Sequence, residues 1–270
     1  MIIKIGISPC PNDTYIFDAI YHRHIKDNNY DFEFIFEDVE TLNKMALNAE
    51  LDMVKISIAN YHQIAKSYQL MKTGNALGTD VGPLIIAKEA FPTTELAHKK
   101  IAVPGLHTTA YFLLKNAFPE VRDIKEYPFH EIEQAILNTE VDCGVIIHEN
   151  RFTYEKKGLV KIEDLGELWG RKYDLPVPLG GIAIKRSFSK LDILKINEMI
   201  KKAIFHSNTR FPNISPFVRN HAQDMQDEVI HQHINLYVNK HTMDLKAKGK
   251  QAIETMINES SPIPIEAIFG

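Results

Sequence analysis

Cysteine is nearly missing from this sequence: only Cys10 and Cys143 occur among 270 residues. Two thiols cannot build a disulfide framework, and free thiols fit a reducing compartment. Basic residues never gather into a long run. Lys246, Lys248 and Lys250 alternate along an expected helix and read as a solvated face. The net charge is -4 and the pI is near 6.3. This balance argues against a nucleic-acid partner. No apolar run approaches the length of a membrane span. The start, Met1-Ile2-Ile3-Lys4, reads at once as a strand, without a basic n-region, an apolar h-region or a cleavage site. A cytoplasmic location is therefore expected.

Common site signatures are also lacking. The glycines between Gly74 and Pro83 do not spell G-x-G-x-x-G and do not run from strand to helix. His148-Glu149 has no second histidine at the spacing of H-E-x-x-H. His231 and His233, two apart, face different sides of a helix, which is a poor metal pair. Repeats and low-complexity tracts are absent. What remains is ordinary globular composition, 44% hydrophobic and 24% charged, at a length for one large domain or two modest ones.

The most informative stretch is Cys143 to Tyr154. Gly144, Val145, Ile146 and Ile147 form a short unbroken apolar run, which suits a parallel strand covered on both faces. The run stops at His148-Glu149-Asn150-Arg151 without a glycine or proline to mark a simple turn. In open α/β sheets, ligands sit beyond the carboxyl ends of strands. Histidine is also the side chain that titrates nearest neutrality. His148 is thus a candidate for chemistry, beside the plainer alternative of a histidine that only caps the strand.

The same pattern recurs along the chain. Ile2 to Ile7 alternates as a first strand and breaks at Ser8-Pro9-Cys10-Pro11. Asn12, Asp13 or Thr14 is expected to cap a helix from about Tyr15 to His24. Backbone N–H groups at that helix start suit an anion. Asp31 to Glu37 is a second strand, and Leu51 to Ile56 a third, ending in Lys55 and Ser57 beside another helix start. Ile101 to Val103 leads through Pro104-Gly105 to Thr108 and Thr109, either of which can cap a helix over 110–118. From Ser189 onward the pattern becomes helical, over about 189–210, 214–225, 227–238 and 245–260.

Strands that alternate with helices, and two probable crossings, describe an α/β clamshell of two lobes with a helical C-terminal region. The first lobe is expected to take residues 1–88 and 182–270, and the second 100–175. The crossovers fall at 89–99 and 176–181. A ligand would lie in the cleft, touched by strand ends of both lobes.

Four spaced motifs carry a resemblance. They are Ser8-Pro9-Cys10-Pro11-Asn12-Asp13-Thr14, Glu37-Asp38-Val39-Glu40-Thr41-Leu42-Asn43, His107-Thr108-Thr109-Ala110-Tyr111 after Val103-Pro104-Gly105, and Ile146-Ile147-His148-Glu149 with Arg151-Phe152-Thr153-Tyr154. Together they resemble the 1,4-dihydroxy-6-naphthoate synthase family of the futalosine route to menaquinone, essentially from end to end. The resemblance implies a two-lobed type II periplasmic-binding-protein fold and a lyase step on cyclic dehypoxanthine futalosine. It implies His148 as the catalytic base and Lys55-Ile56-Ser57 with Thr108-Thr109 as substrate contacts. It implies no metal and no organic cofactor.

The residues are compatible with that chemistry. Removal of a proton beside an electron-withdrawing group needs a base, and a neutral imidazole with a pKa near 6.5 is suitable. Thr108, Thr109, Ser57 and nearby N–H groups are expected to hold a substrate carboxylate. Glu149 and Arg151 are left as supporting groups, and both cysteines as structural ones. Two rival readings share the fold: a solute-binding protein without catalysis, and the related chorismate dehydratase. The missing leader argues against the first, and the I-I-H-E and H-T-T-A-Y sequences against the second. The oligomeric state is not legible.

Overall fold

The computed structural model describes residues 1–79, 81–224 and 226–270. Asp80, within the glycine-containing loop, and Met225, the expected end of one C-terminal helix, lie outside the described residues.

The strands fall into two sheets. Strands β1 (Ile2–Ile7), β2 (Asp31–Phe36), β3 (Met53–Ser57), β4 (Tyr68–Leu70) and β5 (Ala76–Gly78) belong to the first. The second holds β6 (Leu84–Ala87), β7 (Ile101–Val103), β8 (Ile124–Glu126), β9 (Cys143–Ile146) and β10 (Val160–Asp164). Strand β11 (Val177–Lys185) returns to the first sheet. The orders are β2-β1-β3-β11-β4, with β5 also on β11, and β10-β6-β9-β7-β8.

The chemistry of each strand explains its place. In β1, Ile3, Ile5 and Ile7 are fully buried while Ile2 is exposed at the edge of the fold. All five residues of β3 are buried, because a central strand is covered on both faces. Its polar residues, Lys55 and Ser57, are thereby carried into the interior and must find partners there. Strand β9 is also buried throughout. It runs parallel to β7 but antiparallel to β6, so the expected parallel environment holds on one side only.

Two expected boundaries are corrected. Leu84–Ala87 was assigned to the first lobe, but it pairs with β9 and β10 inside the second sheet. Residues 176–181 were expected to be a linker, yet β11 starts at Val177, where Gly180 and Gly181 pair with Ser57 and Ile56. Short apolar strands carry no label for the sheet they join, and long-range pairing decides it.

The first helix also begins earlier than expected, at Pro11, with Cys10 at the N-cap position. Proline at a first helical position loses nothing, since its N–H would be unpaired there anyway. Asp13 is consequently inside the helix, and its carboxylate is available for a long-range partner. Helix 109–117 starts one residue earlier than the expected 110, and of the two expected caps Thr108 is the one used.

The C-terminal helices cover the first sheet and reach across to the second lobe. In Lys190–Asn208, Ile196, Met199, Ile200, Ala203 and Ile204 are buried at helical spacing against Ile3, Ile5, Ile7 and Phe17. Helix Asp227–Tyr237 touches both Pro11–Tyr21 and the short turn His148–Phe152. It therefore bridges the elements on which the cleft is built.

Gly144 sets how closely helix Ile132–Leu137 approaches β9. A Cβ at this position would lie 2.5 Å from Ile132 Cγ2 and 3.3 Å from Ala102 Cβ. Gly144→Ala is expected to lower stability by roughly 1–3 kcal/mol through overpacking. Urea unfolding of the variant beside the parent protein checks this, and an unchanged midpoint shows that the strand has room to spare.

Candidate active site

A cleft of about 660 Å³, counting its open mouth, lies where the strand ends of both lobes meet. Ser8, Asn12, Ser57, Thr109, His148 and His233 are among the residues that line it.

Its floor is a buried ion pair. Lys55 Nζ lies 2.6 Å from Asp13 Oδ1, with side chains 6% and 1% exposed. Asp13 Oδ1 also accepts from Asn12 Nδ2 at 2.7 Å. Asp13 Oδ2 accepts from the Ser8 hydroxyl at 2.7 Å and from the Ser8 N–H at 3.3 Å. The carboxylate thus has four donors, as a buried charge requires. Asn12 Oδ1 in turn lies 2.9 Å from His233 Nε2. The chain of contacts joins β1, the first helix, β3 and helix Asp227–Tyr237.

His148 sits just beyond the carboxyl end of β9, as its sequence position indicates. Its backbone φ is +57°, a left-handed conformation that costs a non-glycine residue on the order of 1–3 kcal/mol. The ring packs edge-on against Phe129, with centroids 4.9 Å apart, and near His233 at 6.3 Å. Part of the ring faces the open cleft, but its nitrogens are covered. Nδ1 lies 3.2 Å from Cys10 Sγ, and Nε2 is buried without a hydrogen-bond partner among the described residues. Burial pushes the imidazole down to about 4; Asp13 pulls it up and Lys55 pushes it down. The opposed charges of the pair leave desolvation as the dominant cause.

Cys10, rather than Cys143, is the thiol that meets His148. Cys143 is buried on β9 among Ile101, Val103 and Val145, and burial pushes its thiol up to about 12. Burial, then the nearby Glu149, likewise raises Cys10 well above the usual thiol range. It is a neutral S–H at working pH. Glu149, the next residue after His148, is 2% exposed. Burial raises its carboxyl to about 7, while the N–H groups of Glu149 and Gln223 lower it. Its Oε2 has no partner among the described residues.

The substrate-contact residues read from the sequence converge on the cleft from the opposite side. Thr108 is an N-cap: its hydroxyl donates to Gly105 O at 2.7 Å and accepts from Tyr111 N–H at 3.1 Å. The Thr109 hydroxyl donates to Leu179 O at 2.8 Å. Both hydroxyl protons are therefore engaged with backbone carbonyls in this structure, while both residues line the cleft. The donors left at this helix start are the Thr109 and Ala110 backbone N–H groups, which have no partner among the described residues. Ser57 accepts from Asn43 Nδ2 at 3.1 Å and its N–H donates to Asn43 Oδ1, so its own hydroxyl proton is uncommitted. Lys55 reaches the site through Asp13. Ile56 contributes apolar wall and backbone, paired with Gly181.

Of two further contacts, the first crosses between the lobes and the second fastens the turn after β9 within the second lobe. Glu40, in helix Val39–Leu47, accepts from His107 Nδ1 at 2.6 Å and from its N–H at 3.1 Å. Arg151 pairs with the buried Asp164 at 2.6 Å and donates to Gly82 O. Sequence reading left Arg151 as a supporting group and did not find Cys10, Asn43 or His233. No local pattern marks them, because their partners are far away in the chain.

A cleft between two α/β lobes, with helix N-termini and strand ends turned into it, is the architecture of a binding protein, here lined by a half-buried histidine. The fold is matched by the ligand-binding component of an ABC-type import system from Staphylococcus aureus, with a TM-score of 0.75, 14% identity, and 100% and 96% of the two chains covered. The crystal structure of a protein from Archaeoglobus fulgidus is more similar, at TM-score 0.88 and 31% identity over 96% of each chain. A family described as menaquinone biosynthesis matches residues 3–261. The chain is 38% identical to the 1,4-dihydroxy-6-naphthoate synthase of Thermus thermophilus and 36% identical to that of Streptomyces coelicolor. Each match covers 96% of this chain and 93% of the relative. The chain belongs to the 1,4-dihydroxy-6-naphthoate synthase family, and is an enzyme of menaquinone biosynthesis.

The Asp13–Lys55 pair gives a direct test of the cleft floor. Lys55→Met leaves the carboxylate buried without its cation, and is expected to lower stability by roughly 3–5 kcal/mol. Adding Asp13→Asn should restore a good part of that loss. Denaturant unfolding of the single and double variants checks it, and equal stabilities would mean that the pair is poorly desolvated.

Proposed function

We propose that this chain is a lyase that converts cyclic dehypoxanthine futalosine to 1,4-dihydroxy-6-naphthoate, with neutral His148 as the general base. The observation that carries the reading is His148 itself. One ring nitrogen lies 3.2 Å from a thiol, and the other is covered and has no partner among the described residues, in a ring that lines the cleft of a chain similar to synthases of that name.

The proposed base is the tautomer in which Nδ1–H donates to the Cys10 sulfur; the other tautomer, with the Cys10 S–H donating to Nδ1, would leave the proton on Nε2. A base needs a bare nitrogen. With Nδ1–H donated to the Cys10 sulfur, the single proton of the neutral ring is on Nδ1, and Nε2 is bare. A thiol stabilises an imidazolium poorly compared with a carboxylate, which agrees with the depressed pKa. Proton removal beside an electron-withdrawing group opens the spirocyclic sugar portion, and formation of the aromatic diol supplies the driving force. A well-placed base contributes roughly 10²–10⁴-fold. The substrate carboxylate is held by the Thr109 and Ala110 N–H groups at the helix start, and the Ser57 hydroxyl donates to a neighbouring oxygen. Its neutral thiols suit a reducing cytoplasm.

Incubation of the purified protein with cyclic dehypoxanthine futalosine, and separately with chorismate, tests the assignment. Release of 1,4-dihydroxy-6-naphthoate from the first alone supports it. Binding without turnover of either would return the chain to the solute-binding class. His148→Asn is expected to fold, bind substrate and lose about 10²-fold or more in kcat.

The pH profile separates a buried base from an ordinary one. The working form is deprotonated, so kcat/KM falls as His148 gains a proton. With the pKa held down to about 4 by burial, the rate should stay flat from neutrality to near pH 5 and fall below it. An exposed histidine would instead lose activity through about 6.5. A limb near 6.5, with the protein still folded by circular dichroism, would contradict the burial argument.

A further inference from the structure

We propose that Cys10, His148 and Glu149 form a binding site for one thiophilic divalent metal ion, such as Zn²⁺ or Cd²⁺, and that its occupancy switches off the base. One ligand atom from each residue lies within 4.8 Å of the others. Cys10 Sγ and His148 Nδ1 are 3.2 Å apart. Around a tetrahedral zinc ion, with Zn–S of ~2.3 Å and Zn–N of ~2.0–2.1 Å, a sulfur and a nitrogen are roughly 3.5 Å apart. The pair therefore needs to open by only a few tenths of an ångström.

The donor set suits a borderline-soft ion: one thiolate, one imidazole and one carboxylate, with a fourth position left for water. Cys10 and Glu149 are each 2% exposed. The second observation is independent of this spacing. Glu149 Oε2 is buried and has no hydrogen-bond partner among the described residues, which is a costly state for a carboxyl oxygen. A cation is one partner that the interior lacks. His148 lines the open cleft, and this gives the ion a way in.

The consequence for the base is a matter of proton balance. Binding of M²⁺ releases the Cys10 thiol proton to solvent, and the thiolate becomes a ligand. His148 keeps its one ring proton, but the metal takes the lone pair of Nδ1. That proton must then sit on Nε2. The nitrogen left bare in the metal-free protein becomes a donor, and the base is lost while the fold is intact. Only this second half rests on His148 acting through Nε2.

The test uses the purified full chain without substrate. Cd²⁺ is titrated from a metal buffer, and the ultraviolet charge-transfer band of a cadmium–thiolate bond is followed. The expected result is one ion per chain, with the band lost in Cys10→Ser and kept in Cys143→Ser. Glu149→Gln, which keeps shape and both cysteines, should weaken binding roughly 10-fold or more. Zn²⁺ should then inhibit turnover of the parent protein, reversibly with a chelator. Cys10→Ser, compared with its own metal-free rate, should need at least ten times more zinc. Three results would each overturn the proposal: no band in the parent protein, a band that follows Cys143, or full turnover at saturating metal. The band is read without substrate, so an error in the assigned reaction leaves the metal site testable.

Discussion

Two opposite charges with almost no exposure to solvent, Asp13 and Lys55, fix the arrangement on which the cleft depends. Removing either ion from water costs several kcal/mol, and only close pairing with further hydrogen bonds offsets it. The geometry that meets this demand is demanding in turn. Ser8 at the end of β1, Asn12 in the first helical turn and Lys55 in β3 must all point at one carboxylate. Three elements that are distant in the chain are locked together where the substrate enters. The pair is also electrically quiet. Its charges act on His148 in opposite directions, so burial is the largest cause of that ring's lowered pKa. A lone Asp13 would raise the histidine, and a lone Lys55 would lower it further.

His148 shows why burial is useful here despite what it costs. An imidazole in water is half protonated near 6.5. Held in the interior, it stays neutral through the physiological range and needs no partner to deprotonate it. The left-handed backbone at this position turns the ring out of β9 and toward the thiol. Glycine would adopt that conformation more easily, but glycine has no base to offer. The strain is acceptable because β9 is buried on both sides and the following turn is fixed, by Arg151 on Asp164 and by Asn150 on the buried Glu133.

Much of this was legible in the sequence, and the reasons are local. Buried strands that end in polar clusters drew attention to His148, to Lys55 and Ser57, and to Thr108 and Thr109. Thr108 caps its helix because a hydroxyl before an apolar helical run has few other roles. The failures have one cause as well. Asn12, Asp13 and Thr14 all look like caps, yet the helix starts at Pro11 and Asp13 answers to Lys55, 42 residues away. Cys10 and His148 are 138 residues apart, and His233 and Asn12 are 221 apart. No periodicity encodes such pairs. The sheet membership of Leu84–Ala87 fails for the same reason, since a four-residue apolar strand fits either lobe until its pairing is known.

The last link is between the helical C-terminal region and the chemistry. Binding proteins of this fold hold a ligand between lobes and let it go unchanged. On the proposed mechanism the His148 ring must also be kept from water, because burial is what lowers its pKa. Helix Asp227–Tyr237 meets that need by crossing from the first helix to the turn that carries His148. His233 is fully buried beside that ring, and burial, followed by His148 itself, pushes its imidazole well below the ordinary range. Two stacked neutral imidazoles do not repel each other, whereas two protonated ones would. The protonation of one therefore opposes that of the other, and both are held neutral by the same helix. In this chain helix Asp227–Tyr237 forms a wall beside the His148 ring, with the buried His233 packed next to it.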